Sequence, residues 1–350
     1  MLVAHRVLTA GLLLALGVNA VPAQGKAPPS KHLVTSSGHQ LALWEKGPPQ
    51  PKGAIVLVHG RTWSSLPDFD LQVPGEKRSL MDALVIKGYA VYALDLRGYG
   101  ATARDASGWN SPNQAADDLA EALRWIMKSS GISGKPVVFG WSNGATVAHL
   151  AAQKTPELMS SLILFGYWKD PDSLVTSGPD TVTPLRAKTT AVAAASDFIR
   201  PEAISKKAID VYVAAAIKTD SIRSDWRRLE EYNALSPAKL KVPTLLITGE
   251  FDPLAPAKSQ EKFFKRLAAT DKRWVTIKGG DHAALIEDMQ PEFVATMVSF
   301  IERKQTVAKA PTKAPAKAVG KTPANAPAAS AKAPIKPPAA VPPVPVVKKP

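Results

Sequence analysis

Pro136-Val137-Val138-Phe139-Gly140-Trp141-Ser142-Asn143-Gly144-Ala145 decides the fold. An apolar run leads into G-x-S-x-G, and a segment of small residues follows as far as Ala152. The pattern reads as a buried strand, a sharp turn and a helix. Such a turn lifts a serine hydroxyl into a cleft, and a helix N-terminus lies beneath any negative charge that develops there. Gly140 and Gly144 leave space where backbones crowd. Gly and Ser are common, so G-x-S-x-G alone is a weak signal. Its strand–turn–helix setting makes it specific.

Working outward, short β-rich runs alternate with helix-length segments across residues 32–304. Residues 32–35 and 40–45 flank Ser36-Ser37-Gly38, a hairpin signal. Residues 54–59 (AIVLVH) form a continuous apolar run, as expected for a strand buried on both faces. Further strands are expected at 90–94, 136–140, 162–165, 243–248 and 274–277. Helices are expected at 78–87, 115–129, 257–267 and 292–303. This alternation implies α/β architecture, with a mostly parallel sheet and helices on both faces. Residues 167–236 break the rhythm with helical and loop segments, so an inserted helical lid is expected there.

A serine nucleophile needs a base and an orienting acid, and chain order in this architecture is Ser, acid, His. His282, in Lys278-Gly279-Gly280-Asp281-His282, follows Ser142 beyond the elbow helix. His149 lies about two turns along that helix, ~10 Å away, too far to reach the hydroxyl. Packing or surface exposure explains it better. Asp252 follows the apolar strand at 244–247 and is the candidate acid. Glu250 and Asp170 are its rivals, and Asp281 reads as a turn former. One oxyanion donor is expected from the amide of Asn143, after the serine. The other is expected from the loop after the first buried strand, at Arg61 or Thr62. His59, at that strand's end, reads as structural.

His59-Gly60, Asp95-Leu96-Arg97-Gly98-Tyr99-Gly100, G-W-S-N-G (140–144), G-E-F-D-P (249–253) and G-G-D-H (279–282) occur in that order. In this order they resemble the alpha/beta-hydrolase superfamily, in its single-domain serine-hydrolase branch with a lid. The resemblance covers about residues 30–303 and implies a Ser142–Asp252–His282 triad with Asn143 and Arg61 amides as oxyanion donors. It also implies that the 95–100 loop braces the site. Ser142 excludes the Asp nucleophile of haloalkane dehalogenases and epoxide hydrolases and the Cys of dienelactone hydrolases. The elbow lacks the GGSWG of proline iminopeptidases, which disfavours peptide cleavage. The loop at 62–75 is longer than the family's usual oxyanion turn.

The two ends of the chain read as separate from this fold. In residues 1–23, His5 and Arg6 precede about a dozen apolar residues and small residues follow, the pattern of a secretory signal. An uncleaved N-terminal anchor is the alternative. Export, to the periplasm or beyond, agrees with the absence of cysteine. Having 0 Cys also excludes a disulfide scaffold and a thiol nucleophile. With 6 His and no two at HxxxH spacing, no metal site is indicated.

Of the 350 residues, 305–350 form an Ala/Pro/Lys tail with 8 Lys, 11 Pro and no acid. It reads as disordered. The net charge of +14 falls to +6 for residues 1–304, so the basic balance belongs mostly to the tail. That tail is either an electrostatic tether to anionic envelope polymers or lipid surfaces, or a solvated spacer. Nucleic acid is disfavoured because the tail lacks aromatic residues for base stacking.

The hydrolase domain is therefore set at 30–304. The expected chemistry is cleavage of a small ester-like substrate through an acyl-enzyme, without metal or organic cofactor. Amide or C–C hydrolysis with the same triad is an alternative, as is a non-catalytic module tethered by the tail. Residues 170–235 carry 9 basic and 10 acidic side chains, so no strong electrostatic selection is expected from the lid.

Overall fold

The structure, a computed structural model, describes residues 27–177 and 183–303. The signal at 1–23 and the tail at 305–350 lie outside the described residues. The strands are β1 (Ser30–Ser36), β2 (His39–Lys46), β3 (Ala54–Val58), β4 (Ala90–Leu94), β5 (Trp109–Asn110), β6 (Val137–Trp141), β7 (Ser161–Phe165), β8 (Asp225–Trp226), β9 (Thr244–Gly249) and β10 (Lys272–Ile277). The helices are α1 (Ser65–Phe69), α2 (Leu80–Ile86), α3 (Pro112–Ser129), α4 (Asn143–Lys154), α5 (Ala191–Ala195), α6 (Lys206–Thr219), α7 (Ala257–Arg266) and α8 (Gln290–Ile301).

Eight strands form one sheet in the order β1-β2-β4-β3-β6-β7-β9-β10. Pairing is antiparallel from β1 to β2 and from β2 to β4, and parallel from β4 to β10. The protein is an α/β-hydrolase by fold, a mostly parallel sheet with helices on both faces.

Every residue of β3, β4, β6 and β7 is buried, because both faces of these strands are covered. Period-2 alternation sorts their side chains. Val56, Val58, Tyr92, Leu94, Val138 and Leu164 pack with α3, α4 and Phe263 of α7. Ile55, Leu57, Val91, Phe139, Ile163 and Phe165 pack with α2, α8 and part of α6 on the other face. Phe139 stands edge-on to both Phe69 and Phe293, with ring centroids 6.0 Å apart in each pair. Such a ring contributes about 3–5 kcal/mol relative to alanine.

Helix starts follow local chemistry. Ser79, Ser111 and Ser205 cap α2, α3 and α6 through their hydroxyls, and Pro112 occupies the first turn of α3. The chain leaves β3 for β4 on one side and then returns to β6 on the other. The connections from β3 and β6 therefore diverge at adjacent strand ends, the switch point where open sheets bind ligands. The segment between β7 and β9 carries α5, α6 and β8, and β8 pairs with β5 beside the sheet. No helix among the described residues is long and apolar enough to cross a membrane.

Candidate active site

The carboxyl ends of β3, β6, β7, β9 and β10 supply the site. After β6, Ser142 has φ 56° and ψ −118°, a left-handed backbone at a non-glycine residue. Strain of this kind persists only where the surroundings impose it. Here they do. A Cβ on Gly144 would stand 2.2 Å from the Val58 carbonyl oxygen, and one on Gly140 would stand 2.4 Å from the Gly144 oxygen. Only glycine lets strand, turn and helix pack this closely. Gly60, at the end of β3, lies directly against Ser142, where an added Cβ would be 3.3 Å from the serine Cβ.

His282 and Asp252 form a buried pair, 6% and 7% exposed. His282 Nδ1 lies 2.8 Å from Asp252 Oδ2, and the Leu254 amide donates to Asp252 Oδ1 at 2.9 Å. With Nδ1 committed to the carboxylate, Nε2 is the nitrogen left for proton transfer. The Trp141 indole donates to the His282 carbonyl at 2.7 Å, tying the histidine loop to the elbow strand. Ser142 and His282 line one small cavity of about 10 Å³, together with Gly60, Arg61, Thr62, Trp63, Asp68, Trp141 and Asp197.

The rival groups are engaged elsewhere. Asp170 accepts from Ser259 Oγ at 2.7 Å and from the Asp172 amide at 2.8 Å. Glu250 accepts from the Gly279 amide at 2.8 Å. Asp281 takes the Ala283 amide as a turn former, and it also accepts the Arg200 amide at 2.6 Å. His149 is buried against Tyr167 and Phe263, and burial lowers its pKa to about 4.

His59 is structural: its Nε2 accepts from the Leu96 amide and its Nδ1 donates to the Gly60 carbonyl. Burial lowers its pKa to about 4, so it holds the loop as a neutral ring. The 95–100 loop is braced as well. Asp95 accepts from Trp44, Ser65 and Ala101, and Arg97 forks onto Asp118 at 2.7 and 2.8 Å.

Of the expected oxyanion donors, Arg61 and Thr62 both line the cavity. Asn143 opens α4, where helix geometry leaves its amide without an intrahelical acceptor. Its side chain turns away, with Oδ1 accepting from Tyr232 at 3.0 Å. Among the described residues, no group of three or more His, Cys, Asp or Glu is placed to hold a metal ion.

Sequence reading misses four residues. Gly166, after β7, has φ +61°, and a Cβ there would stand 2.6 Å from His282 Cε1 and 2.9 Å from Nδ1. Asp68 of α1, Asp197 after α5 and Tyr212 of α6 meet beside the Ser142 cavity. No spacing rule connects these positions. The Gly166 contact leads to a prediction: Gly166→Ala should displace the imidazole and lower kcat about 100-fold. Melting and steady-state measurements on one preparation check this. The expected result is a fall in kcat far larger than any loss of folded protein.

Fold and site geometry together define an α/β-hydrolase. The serine aminopeptidase S33 family matches residues 49–289, and the chain belongs to that family. No curated protein matches the sequence. Among solved structures, the thioesterase domain from the curacin biosynthetic pathway is 18% identical, with TM-score 0.56. The match covers 78% of this chain and 100% of that one. The 2-hydroxy-6-oxo-6-phenylhexa-2,4-dienoate hydrolase of Rhodococcus sp. strain RHA1 is 19% identical, with TM-score 0.57, covering 78% and 99%. E-2-(acetamidomethylene)succinate hydrolase is 20% identical, with TM-score 0.54, covering 79% and 100%. At these identities the likeness is one of fold.

Proposed function

We propose that the protein is a serine hydrolase that cleaves a carboxylic ester through an acyl-enzyme. The observation that carries this reading is the strained Ser142 turn sharing one cavity with a His282 ring held by Asp252. Ser142 attacks the carbonyl while His282 Nε2 takes its proton. Asp252 holds the imidazole and stabilises its charged form. Backbone amides of Asn143 and of Arg61 or Thr62 hold the oxyanion. His282 then returns the proton to the leaving group, and water repeats the sequence on the acyl-enzyme.

The S33 family's description names aminopeptidase activity. The elbow here is Gly140-Trp141-Ser142-Asn143-Gly144 and not GGSWG, which supports ester over peptide cleavage. The test is labelling with a fluorophosphonate, followed by a panel of ester, thioester, aminoacyl anilide and dienoate substrates. Covalent labelling at Ser142 and turnover of esters ahead of the rest is expected. Absence of labelling at Ser142 overturns the reading.

Residues 1–23 and 305–350 support export and a tether or spacer role from their sequence. Truncation after Lys304 should leave turnover of a small neutral ester nearly unchanged. Helix α8 ends at Ile301, and Arg303 is already fixed by Asp271 at 2.6 Å. The field of the tail's lysines is screened beyond ~8 Å at physiological ionic strength. Under the tether reading, truncation weakens co-sedimentation with anionic vesicles at low salt. Under the spacer reading, both forms sediment alike.

A further inference from the structure

We propose that Asp197 is a specificity-determining residue. With Tyr212 and Asp68 it makes the lid side of the Ser142 cavity an acidic wall against acyl groups bearing a carboxylate within a few carbons of the scissile carbonyl. The inference rests on the ester-hydrolase reading above and names the substrate class of that site as uncharged acyl donors. The wall was not legible in the lid's near-neutral composition, because one carboxylate at the cavity outweighs many on the lid's outer surface.

The geometry begins with a proton count. Tyr212 Oη lies 3.1 Å from Asp68 Oδ1 and 3.0 Å from Asp197 Oδ2. The phenol has one proton and can donate to only one of them. If both acids were ionised, one carboxylate would face a phenol lone pair. The arrangement is satisfied when one acid keeps its proton and donates to Tyr212, while Tyr212 donates to the other. Asp68, 1% exposed, is the acid that keeps it: burial, then the charge of Asp197, hold its pKa well above the usual range. Asp197 is only partly covered, and burial raises it to about 6. At neutral pH the wall therefore carries one negative charge, located on Asp197.

The surrounding groups do not cancel that charge. From the base of the fold, Asp68 has the Gly60 amide as a polar neighbour, and Asp197 has the Trp63 side chain. Asp220, beyond α6, adds negative charge near Asp68, and it is itself held by Ser64 and Gly100. His59 is kept neutral by burial. The attraction of His282 for Asp197 ranks below burial and the Tyr212 hydrogen bond. Arg223 is exposed, and its attraction for Asp197 ranks below those other effects. Arg61 lines the cavity but is exposed, with its guanidinium 5.8 Å over the Trp226 ring. Water screens both arginines more than it screens a carboxylate at the cavity wall. A substrate carboxylate placed here meets a like charge in a poorly solvated space. Allowing for the partial exposure of Asp197, the penalty corresponds to about tenfold or more in kcat/KM.

The test compares the 4-nitrophenyl monoester of adipic acid with its methyl-capped counterpart, which differ in charge and hardly in length. The quantity read is the ratio of kcat/KM, capped over free acid, in which any common loss of activity cancels. Wild type at pH 8 should prefer the capped ester by about tenfold or more. Asp197→Asn should bring the ratio below about threefold, while Asp68→Asn, which replaces an already neutral group, should leave it near the wild-type value. Lowering the pH of wild-type enzyme through about 6 should also shrink the ratio, because Asp197 is ionised above that pH and neutral below it. This readout stands even if the variants fold poorly.

Absence of a wild-type preference, or a ratio that neither Asp197→Asn nor acid pH moves, overturns the inference while the hydrolase reading stands. If neither ester is hydrolysed in a Ser142-dependent way and a neutral fluorophosphonate fails to label Ser142, the hydrolase reading falls and this inference with it.

Discussion

Ser142→Ala should reduce hydrolysis of an activated neutral ester by roughly 10⁴–10⁶-fold. The change removes the attacking oxygen and leaves every other part of the site in place. Alanine carries the same Cβ, so the backbone strain at φ 56° is neither relieved nor increased. The thermal midpoint should therefore stay close to that of wild type. Steady-state rates and melting curves on the same preparation check both halves. Residual activity within about tenfold of wild type would mean that another group attacks the carbonyl. Fluorophosphonate labelling should disappear in the same variant.

A loss of about 10⁴-fold in kcat is expected for Asp252→Asn. Asp252 accepts the His282 Nδ1 proton at 2.8 Å. An asparagine can present its amide NH₂ to that nitrogen instead. Nδ1 then becomes the acceptor and the ring proton moves to Nε2, the position that must be vacant to receive the serine proton. The charged imidazole also loses its counter-charge. Asp170→Asn is the matched control. Its partners are Ser259, Lys262 and the Asp172 amide, so its loss should cost some stability and little turnover. A larger kinetic effect at Asp170 than at Asp252 would show that the orienting acid has been misassigned.

The strands around the elbow were legible because burial on both faces leaves an unbroken apolar run, as at Ala54–Val58 and Ser161–Phe165. Element ends were less so. The elbow helix begins at Asn143, two residues before its run of small residues, because the turn itself supplies the first helical amides. Pattern favoured Asp252 over Asp170 but left Asp170 as a rival, since each follows an apolar strand. Their difference is one of direction, and only the pairing of β9 with β10 brings Asp252 to His282.

The Asp68–Tyr212–Asp197 cluster was illegible for a different reason. Its members come from three segments brought together by the packing of the lid on α1, and each alone is an ordinary helix or loop residue. Gly166 shows the same limit. A glycine after a strand reads as a turn, and its contact with the imidazole exists only once β7 and the histidine loop are adjacent.

The cavity beside Ser142, about 10 Å³, has room for about one water molecule and none for an acyl chain. Under the proposed reaction an acyl chain needs more room than this, so the segment between β7 and β9 has to shift for substrate to enter and product to leave. Two fastenings of this segment lie outside the acidic wall: Asp220 on Ser64, and Arg200 on the loop carrying Asp281. Motions of this size take microseconds to milliseconds and set the turnover of many enzymes with covered sites. A bulkier substrate must hold more of the lid away from its seat, and part of its binding energy is spent in doing so. Under the proposed reaction, the length of ester accepted should follow how firmly this segment is fastened, while Ser142, Asp252 and His282 stay fixed at the strand ends beneath it.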